Sequence, residues 1–365
     1  MTVIYGTAEA VPFLKDRVLT RVLEPSTAAF SSSTKLRGKV NQFTPKVSAV
    51  IPSRNRPQIV RRAVQSALLQ TCTDLEVVVV VDGPDSITVK VLEQMNDPRV
   101  RVIELPESVG ASEARNIGAQ QARGQWIALL DDDDEWLPTK IEKQLQAAEA
   151  ATTQFALVVC SFILKTETME SVAPRRLPRQ GEPISEYLFG SPRNGFQTSG
   201  FFCSRDLMLQ QPWKRLKGLQ DIDWFLRATA NPNVQLAIVP DALCVYWTES
   251  IDTITSKLGW QTCLEWGQSN RSLMTPRAYS SFIAKVCAPR AASQQAAARD
   301  KVLLLCEILW EGSPTLKSLL MFAAYSVLPY KTRRSLANSA AALKKRMDVL
   351  KLRSGYQRLE QRESR

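Results

Sequence analysis

Four consecutive carboxylates, Asp131 to Asp134, stand directly after the apolar run Trp126–Leu130 and ahead of Glu135, Trp136 and Pro138. An apolar run of that length reads as a buried strand. The sequence therefore delivers clustered acids at a strand's C-terminal end, where an open α/β sheet binds ligand. Adjacent like charges repel, and the repulsion favours a counter-cation such as Mg²⁺ or Mn²⁺. A solvated acidic turn ahead of a helix, with Pro138 in the helix's first turn, answers to the same residues. Two further groups sit at comparable places. Asp82 ends the nearly all-β-branched run Leu75–Val81, and Arg54 and Asn55 follow the short apolar run Val47–Pro52.

The elements between these groups decide whether they meet. Pro57 is placed to open a helix in which Ile59, Val60, Ala63, Val64, Ala67 and Leu68 form one apolar face. Leu75–Val81 is apolar on both faces, as central parallel strands are. The alternation continues with a helix over Ile87–Met95, a strand over Val100–Leu105 and a helix over Ala111–Arg123. The strand Trp126–Leu130, a helix over Pro138–Ala150 and a strand over Phe155–Ser161 complete it. Strands separated by single helices predict a parallel sheet with right-handed crossovers. Several strand ends then meet on one edge, bringing Arg54, Asn55, Asp82 and Asp131–Asp134 together, which weighs against the solvated turn. Neither GxGxxG nor GxxxxGK[ST] occurs, so phosphates need another device, and a divalent cation on the carboxylates supplies one.

Composition narrows the class. The chain has 365 residues, no histidine and seven cysteines without a CxxC pair. That excludes histidine bases and zinc sites, and the odd cysteine count suits a reduced, cytosolic compartment. Met1–Phe30 lacks a continuous apolar stretch, so no signal peptide is expected. No apolar run approaches the roughly 20 residues that span a bilayer. The net charge is +11, but residues 331–365 alone hold eleven Lys and Arg against Asp348, Glu360 and Glu363, a net of +8. The basicity belongs to a tail, which disfavours a nucleic-acid-binding body.

Four elements in order carry a resemblance: VSAVIPSRNRP, Val81-Asp82-Gly83, Val109-Gly-Ala-Ser-Glu-Ala-Arg-Asn-Ile-Gly118, and Ala122 through Pro138. Together they resemble the donor-binding half of family 2 glycosyltransferases, over some 200 residues to about Trp247. The resemblance implies the GT-A fold, a Rossmann-like, mostly parallel α/β sheet flanked by helices. It implies a nucleotide-diphosphate sugar donor and a divalent cation, Mn²⁺ or Mg²⁺. Asp131-x-Asp133 stands at the family's DxD motif, with Asp133 as direct metal ligand and Asp131 beside it, and Asp132 near the ribose. Asp82 matches the acid that meets the donor's base, Pro52, Arg54 and Asn55 line that pocket, and Arg115 faces the nucleotide or its phosphates. The family's commoner Asp-Asp-Gly is Val81-Asp82-Gly83 here.

Farther on, Gly218–Arg227 is similar to the family's catalytic segment, with Gln220 in place of the usual Glu. The resemblance puts Asp221 at the general base; the residues alone allow Asp221 or Asp223 to cap a helix over Ile222–Ala230. Pro174, Pro178, Pro183 and Pro192 predict irregular acceptor-side loops over 165–200, and Leu236–Val239 and Cys244–Trp247 read as two further strands around Pro240. The expected organisation is an extension over 1–45, a GT-A domain over 46–250 (donor half 46–162, acceptor half 163–250), a helical appendage over 251–330 and a basic tail over 331–365. The helices of the appendage read as Leu258–Leu273, Pro276–Val286, Ser293–Trp310 and Thr315–Leu328, with its aromatics as packing. The expected reaction is sugar transfer to a hydroxyl acceptor, with a lipid-linked one among the candidates, in polysaccharide, cell-surface glycan or glycolipid synthesis. A nucleotidyltransferase and a nucleic-acid binder acting through the tail are the rivals. Residues 315–365 join an apolar segment to a polybasic one, which suits a peripheral position on an anionic, inner membrane face.

Overall fold

The computed structural model describes residues 4–5, 44–191, 194–248, 258–328 and 332. Nearly all of the expected N-terminal extension and basic tail therefore lie outside the described residues. Two compact units emerge, Met1–Pro174 with Phe196–Leu216 and Gln220–Glu249, and Arg175–Gly195 with Lys217–Leu219 and Ser250–Arg365.

The first unit is built on one sheet. Its strands are β1 (Ile4–Tyr5), β2 (Val47–Ser53), β3 (Leu75–Val81), β4 (Val100–Glu104), β5 (Trp126–Leu129), β6 (Glu135–Trp136), β7 (Phe155–Lys165), β8 (Glu170–Ala173), β9 (Phe202–Ser204) and β10 (Val234–Trp247). Among the described residues they run in the order β1-β10-β7-β9-β5-β2-β3-β4, with β6 paired to β10 and β8 to β7. β2 and β3 are buried along their whole length, as central parallel strands are, and the buried polar pair among them is satisfied by Ser48 Oγ donating to Glu76 Oε1 at 2.7 Å. Pairings β5/β2, β2/β3 and β3/β4 are parallel. The chain steps outward from β2 to β3 and β4, then returns to place β5 on the other side of β2. That reversal opens a crevice at the carboxyl ends of β2 and β5, the usual ligand position in such sheets.

Helices cover the sheet where the periodicity put them. Helix α1 (Pro57–Leu68) begins on Pro57 and buries Val60, Ala63, Val64 and Ala67. Helix α2 is Ser86–Glu93 and α3 is Ala111–Gln121. Gly118 lets α3 lie against β2: a Cβ there would come within 2.4 Å of Val50 Cγ1. Helix α4 (Lys140–Glu149) opens after Pro138, whose carbonyl instead accepts from the Thr71 amide at 2.9 Å.

Three features depart from a simple parallel reading. β9 runs antiparallel to both β5 and β7, so the sheet is mixed. The two strands expected around Pro240 are the single strand β10, whose register against β7 shifts between Val239 and Cys244. A bulge accommodates the proline, which cannot donate to the ladder. Beyond β8, part of the expected acceptor-side loop region is helix α5 (Ile184–Gly190), in the second unit. Still in the first unit, α6 (Arg205–Gln210) and α7 (Gln220–Ala230) follow β9.

The second unit is helical. With α5 it contains α8 (Trp260–Ser269), α9 (Pro276–Phe282), α10 (Ala288–Ser293), α11 (Ala298–Trp310) and α12 (Leu316–Val327). A π-turn over Ile283–Cys287 carries α9 into α10 past Pro289, where a regular helix would meet a missing N–H and a clashing ring. Phe282 is the hub of its core, 5.2 Å from both Phe189 and Trp266. Trp260 and Trp266 are buried as packing residues; Trp310 is not, at 78% exposed.

Candidate functional site

The acid run forms a tight turn at the end of β5, closed by the Asp134 amide donating to the Asp131 carbonyl at 3.1 Å. Each side chain has its own environment. Asp131 receives Arg115 Nη2 at 2.5 Å. Asp132 is buried, accepting from Ser53 Oγ at 2.8 Å and from Arg56 Nη1 at 3.0 Å. The same Nη1 reaches Asp133 Oδ2 at 3.0 Å. Asp134 is fully buried and accepts from Ser199 Oγ at 2.5 Å. Burial pushes the Asp132 carboxyl up to about 6, against the pull of the Ser53 hydroxyl and Arg56. Desolvation and then the charge of Asp131 raise Asp133 and, further, Asp134.

A turn from another part of the chain supports this one. Ser199 Oγ also accepts from the Asp131 amide at 3.0 Å, and the Ser199 carbonyl accepts from Trp136 Nε1 at 2.8 Å. Lys140 lies fully buried beneath, its Nζ 4.2 Å from the Trp136 ring centroid and 2.6 Å from Gln144 Oε1. Gln144 Nε2 then donates to the Gly200 carbonyl at 2.7 Å. Desolvation pushes the Lys140 ammonium down to about 8.

Arg115 occupies no solvated helix position. It is buried on α3, with its guanidinium 4.8 Å from the Trp213 ring centroid. Trp213 stacks on Trp224 of α7 at 5.3 Å and 6°. Those indoles link Arg115 on α3 to the helix that carries Asp221. Asp221 is half-buried in the first turn of α7. Burial raises its carboxyl, Asp131 adds to the rise and Arg115 opposes it, so the three groups share one electrostatic neighbourhood. Helix α7 begins at Gln220, earlier than the capping reading needs, and both Asp221 and Asp223 lie inside it. Asp223 is buried and pairs with Arg227 Nε at 2.8 Å.

A second group forms at the end of β3. Asp82 is buried and accepts from the amides of Val109 at 2.6 Å and Gly110 at 3.0 Å, and from Ser108 Oγ at 2.9 Å. Gly110 is the N-cap of α3, so this carboxylate fastens the helix start, where negative charge is favoured. Arg54 Nη1 donates to the same Ser108 hydroxyl at 2.8 Å. Asn55 holds a left-handed φ of 54°, and its amide donates to Asp85 Oδ2 at 2.9 Å. Pro52 is buried within β2. The sequence shows Ser53 and Arg56 within the PSRNRP element, and Ser199 within the small-residue turn Thr198–Asp206 that resembles the family's, without a part for any of them, and it does not single out Ser108 or Trp213. Their partners lie 26 to 98 positions away, a separation that no local pattern encodes.

Asp131 and Asp133 offer hard carboxylate oxygens, the donor type Mg²⁺ and Mn²⁺ take. The Asp133 side chain is 45% exposed and the Asp131 side chain 24%. Among the described residues no three candidate ligands converge on one point. One or two carboxylates completed by phosphates and water is how Mg²⁺ is commonly held, so the donor set fits.

A mixed α/β sheet with an acid run at its topological switch defines a GT-A-like protein. The crystal structure of S. aureus TarS 1-349 has the same fold at TM-score 0.50 and 16% identity, over 73% of this chain and 79% of that one. Residues 48–205 match the model Glycosyl transferase family 2, and to that family this chain belongs. Succinoglycan biosynthesis protein ExoO of Rhizobium meliloti is 37% identical over 174 residues, which is 46% of this chain and 50% of that protein. The Escherichia coli UDP-Glc:alpha-D-GlcNAc-diphosphoundecaprenol beta-1,3-glucosyltransferase WfaP is 33% identical over 110 residues, 30% of this chain and 44% of that protein. The chain thus spans about half the length of these curated relatives.

Proposed function

We propose that this protein transfers a sugar from a nucleotide-diphosphate sugar to an acceptor hydroxyl with inversion, in polysaccharide or cell-surface glycan synthesis. The observation that carries the reading is the acid run at the sheet's switch point, with Asp131 paired to the buried Arg115, whose stacked indoles Trp213 and Trp224 lead to the helix that carries Asp221. Asp133, with Asp131, holds a divalent cation, which when bound neutralises charge building on the leaving diphosphate. Arg115, immobilised by Asp131 and Trp213, aims a fixed positive charge at the phosphates. Asp221 removes the acceptor hydroxyl's proton on the face opposite the leaving group. Its raised carboxyl makes it the stronger proton acceptor. Asp82, Pro52, Arg54 and Asn55 border the base, and Asp132 the ribose.

A thermal-shift screen of nucleotides and nucleotide sugars, with and without Mn²⁺, tests this, because a ligand that binds the folded state stabilises it by mass action. Stabilisation by one nucleoside diphosphate that needs Mn²⁺ is expected; no shift with any of them would end the proposal. A nucleotidyltransferase would release pyrophosphate, whereas the proposed reaction releases a nucleoside diphosphate.

The acceptor we propose is lipid-linked, and the protein works on an anionic membrane face through residues 315–365. The name of WfaP supports such an acceptor. No helix among the described residues is long and apolar enough to cross a membrane. Helix α12 nevertheless carries apolar side chains on opposite faces. Ser318 and Phe322 are buried, while Leu316 (73%), Leu320 (62%), Ala323 and Val327 (77%) form an exposed stripe. A stripe of that kind next to a net charge of +8 suits the headgroup boundary of an anionic bilayer.

A further inference from the structure

Among the described residues, Arg56 is the side chain that pairs with the carboxylates of two members of the acid run. A single nitrogen, Nη1, lies 3.0 Å from Asp132 Oδ1 and 3.0 Å from Asp133 Oδ2. Its neighbour Arg62 is otherwise engaged: Nη2 donates to the Asp133 carbonyl at 2.9 Å, Nε sits 3.2 Å from Glu135, and the guanidinium lies 4.9 Å from the Trp247 ring centroid. Arg115 is buried and committed to Asp131. Arg56 differs from both in being 48% exposed on its side chain. It stands at the N-cap of α1, on the segment that follows β2 at the switch-point crevice.

Four adjacent carboxylates need positive charge nearby whether or not a metal is bound. In this arrangement Arg56 supplies it to Asp132 and Asp133 and occupies one oxygen of the carboxylate on which a divalent cation would sit. A guanidinium and a divalent cation on one carboxylate repel each other, so the cation's arrival displaces Arg56. A freed guanidinium beside a diphosphate is a planar, bidentate donor for phosphate oxygens. We infer that Arg56 is the resident counter-cation of the acid run and that it exchanges Asp133 for the donor's diphosphate when the divalent cation binds. The inference rests on the proposed donor site. It makes cation and diphosphate binding mutually dependent: the cation alone must displace Arg56 without giving it a new partner.

Isothermal titration of the full chain with Mn²⁺ alone, and with pyrophosphate in Mn²⁺ buffer, tests the exchange without needing to know the base or sugar. Arg56→Gln should bind Mn²⁺ alone about tenfold more tightly than the wild type and pyrophosphate about tenfold more weakly, each a change of about 1.4 kcal/mol. Arg56→Lys, which keeps the charge but not the fork, should fall between the two on both titrations. A merely structural role for Arg56 would weaken both ligands together, and that result overturns the inference. So does an Arg56→Gln protein that binds Mn²⁺ no more tightly than the wild type. If Arg56→Gln fails to fold, Arg56→Lys decides, and wild-type values on both titrations overturn the exchange. A wild type that binds neither Mn²⁺ nor pyrophosphate removes the donor-site reading and this inference with it. Wild-type binding of both, with Arg56→Gln unchanged, removes the role of Arg56 alone.

Discussion

The two compact units invert the hydrophobic rule in opposite senses. The sheet unit buries charge: Asp82, Arg115, Asp132, Asp134 and Lys140 are all under 9% exposed. The helical unit exposes apolar surface, with Trp310, Leu316, Leu320 and Val327 each more than 60% exposed. Buried ions are costly unless paired, and exposed apolar stripes gain nothing from water, so each unit keeps a feature that packing alone does not explain. Within the sheet unit the contrast repeats on a smaller scale. Asp82 is fully engaged by two amides and a hydroxyl, whereas Asp133 keeps a half-exposed carboxylate paired with the half-exposed Arg56. The first kind of acid is also part of the fold's own hydrogen bonding; the second keeps an exposed carboxylate for a ligand.

The largest expected effect lies in the sheet unit. Asp221→Asn keeps the side chain's size and removes the proton acceptor, so turnover in a nucleotide-release assay should fall by about 10²–10⁴-fold. Donor binding and the melting temperature should stay where they are. Full turnover in this variant would move the proton to another group.

The two strand-end acids can then be set against each other. Asp133→Ala should abolish Mn²⁺-dependent nucleoside-diphosphate binding by calorimetry while leaving urea stability unchanged. Asp82→Ala should lose stability instead, by about 1–2 kcal/mol, because two amides and a hydroxyl at the start of α3 lose their carboxylate acceptor. Equal stability losses in both variants would erase the distinction between them.

Lys140 tests the cost of charge within the sheet unit. Its ammonium is lowered to about 8 from 10.5, so between those pH values the unfolded chain binds the extra proton and wild-type stability rises with pH. Lys140→Met has no such contribution. Its stability relative to wild type should therefore decline by up to about 3 kcal/mol from pH 8 to 10.5 in paired urea melts. A difference independent of pH would mean that Lys140 keeps its proton in the fold.

The smallest effect is expected in the helical unit. Leu316→Ser/Leu320→Ser/Val327→Ser should lower the melting temperature only slightly, since these side chains are mostly exposed among the described residues. Its affinity for phosphatidylglycerol liposomes at low salt should drop about tenfold, an apolar loss of about 1.4 kcal/mol. Flotation identical to wild type, or a concentration-dependent dimer that the substitutions dissolve, would assign the stripe another occupant.

Much of this protein was legible in its sequence because the signals are local. Short apolar runs marked β2, β3 and β5, Pro57 marked the start of α1, and strand–helix alternation set the parallel order that puts Asp82 and Asp131–Asp134 on one edge. Tertiary structure alone decided which acids are spent. Asp82 is engaged by α3's first amides, Asp134 is shut in by Ser199, and Arg115 is buried against Trp213, each partner brought from 16 to 98 positions away. It also decided that β9 enters antiparallel, that Pro240 sits in a bulge of one long strand, and that α12 turns one apolar face outward. The reason is physical: period and propensity are written in neighbouring residues, whereas burial, and with it the protonation and pairing of a charge, depends on every segment folded around it.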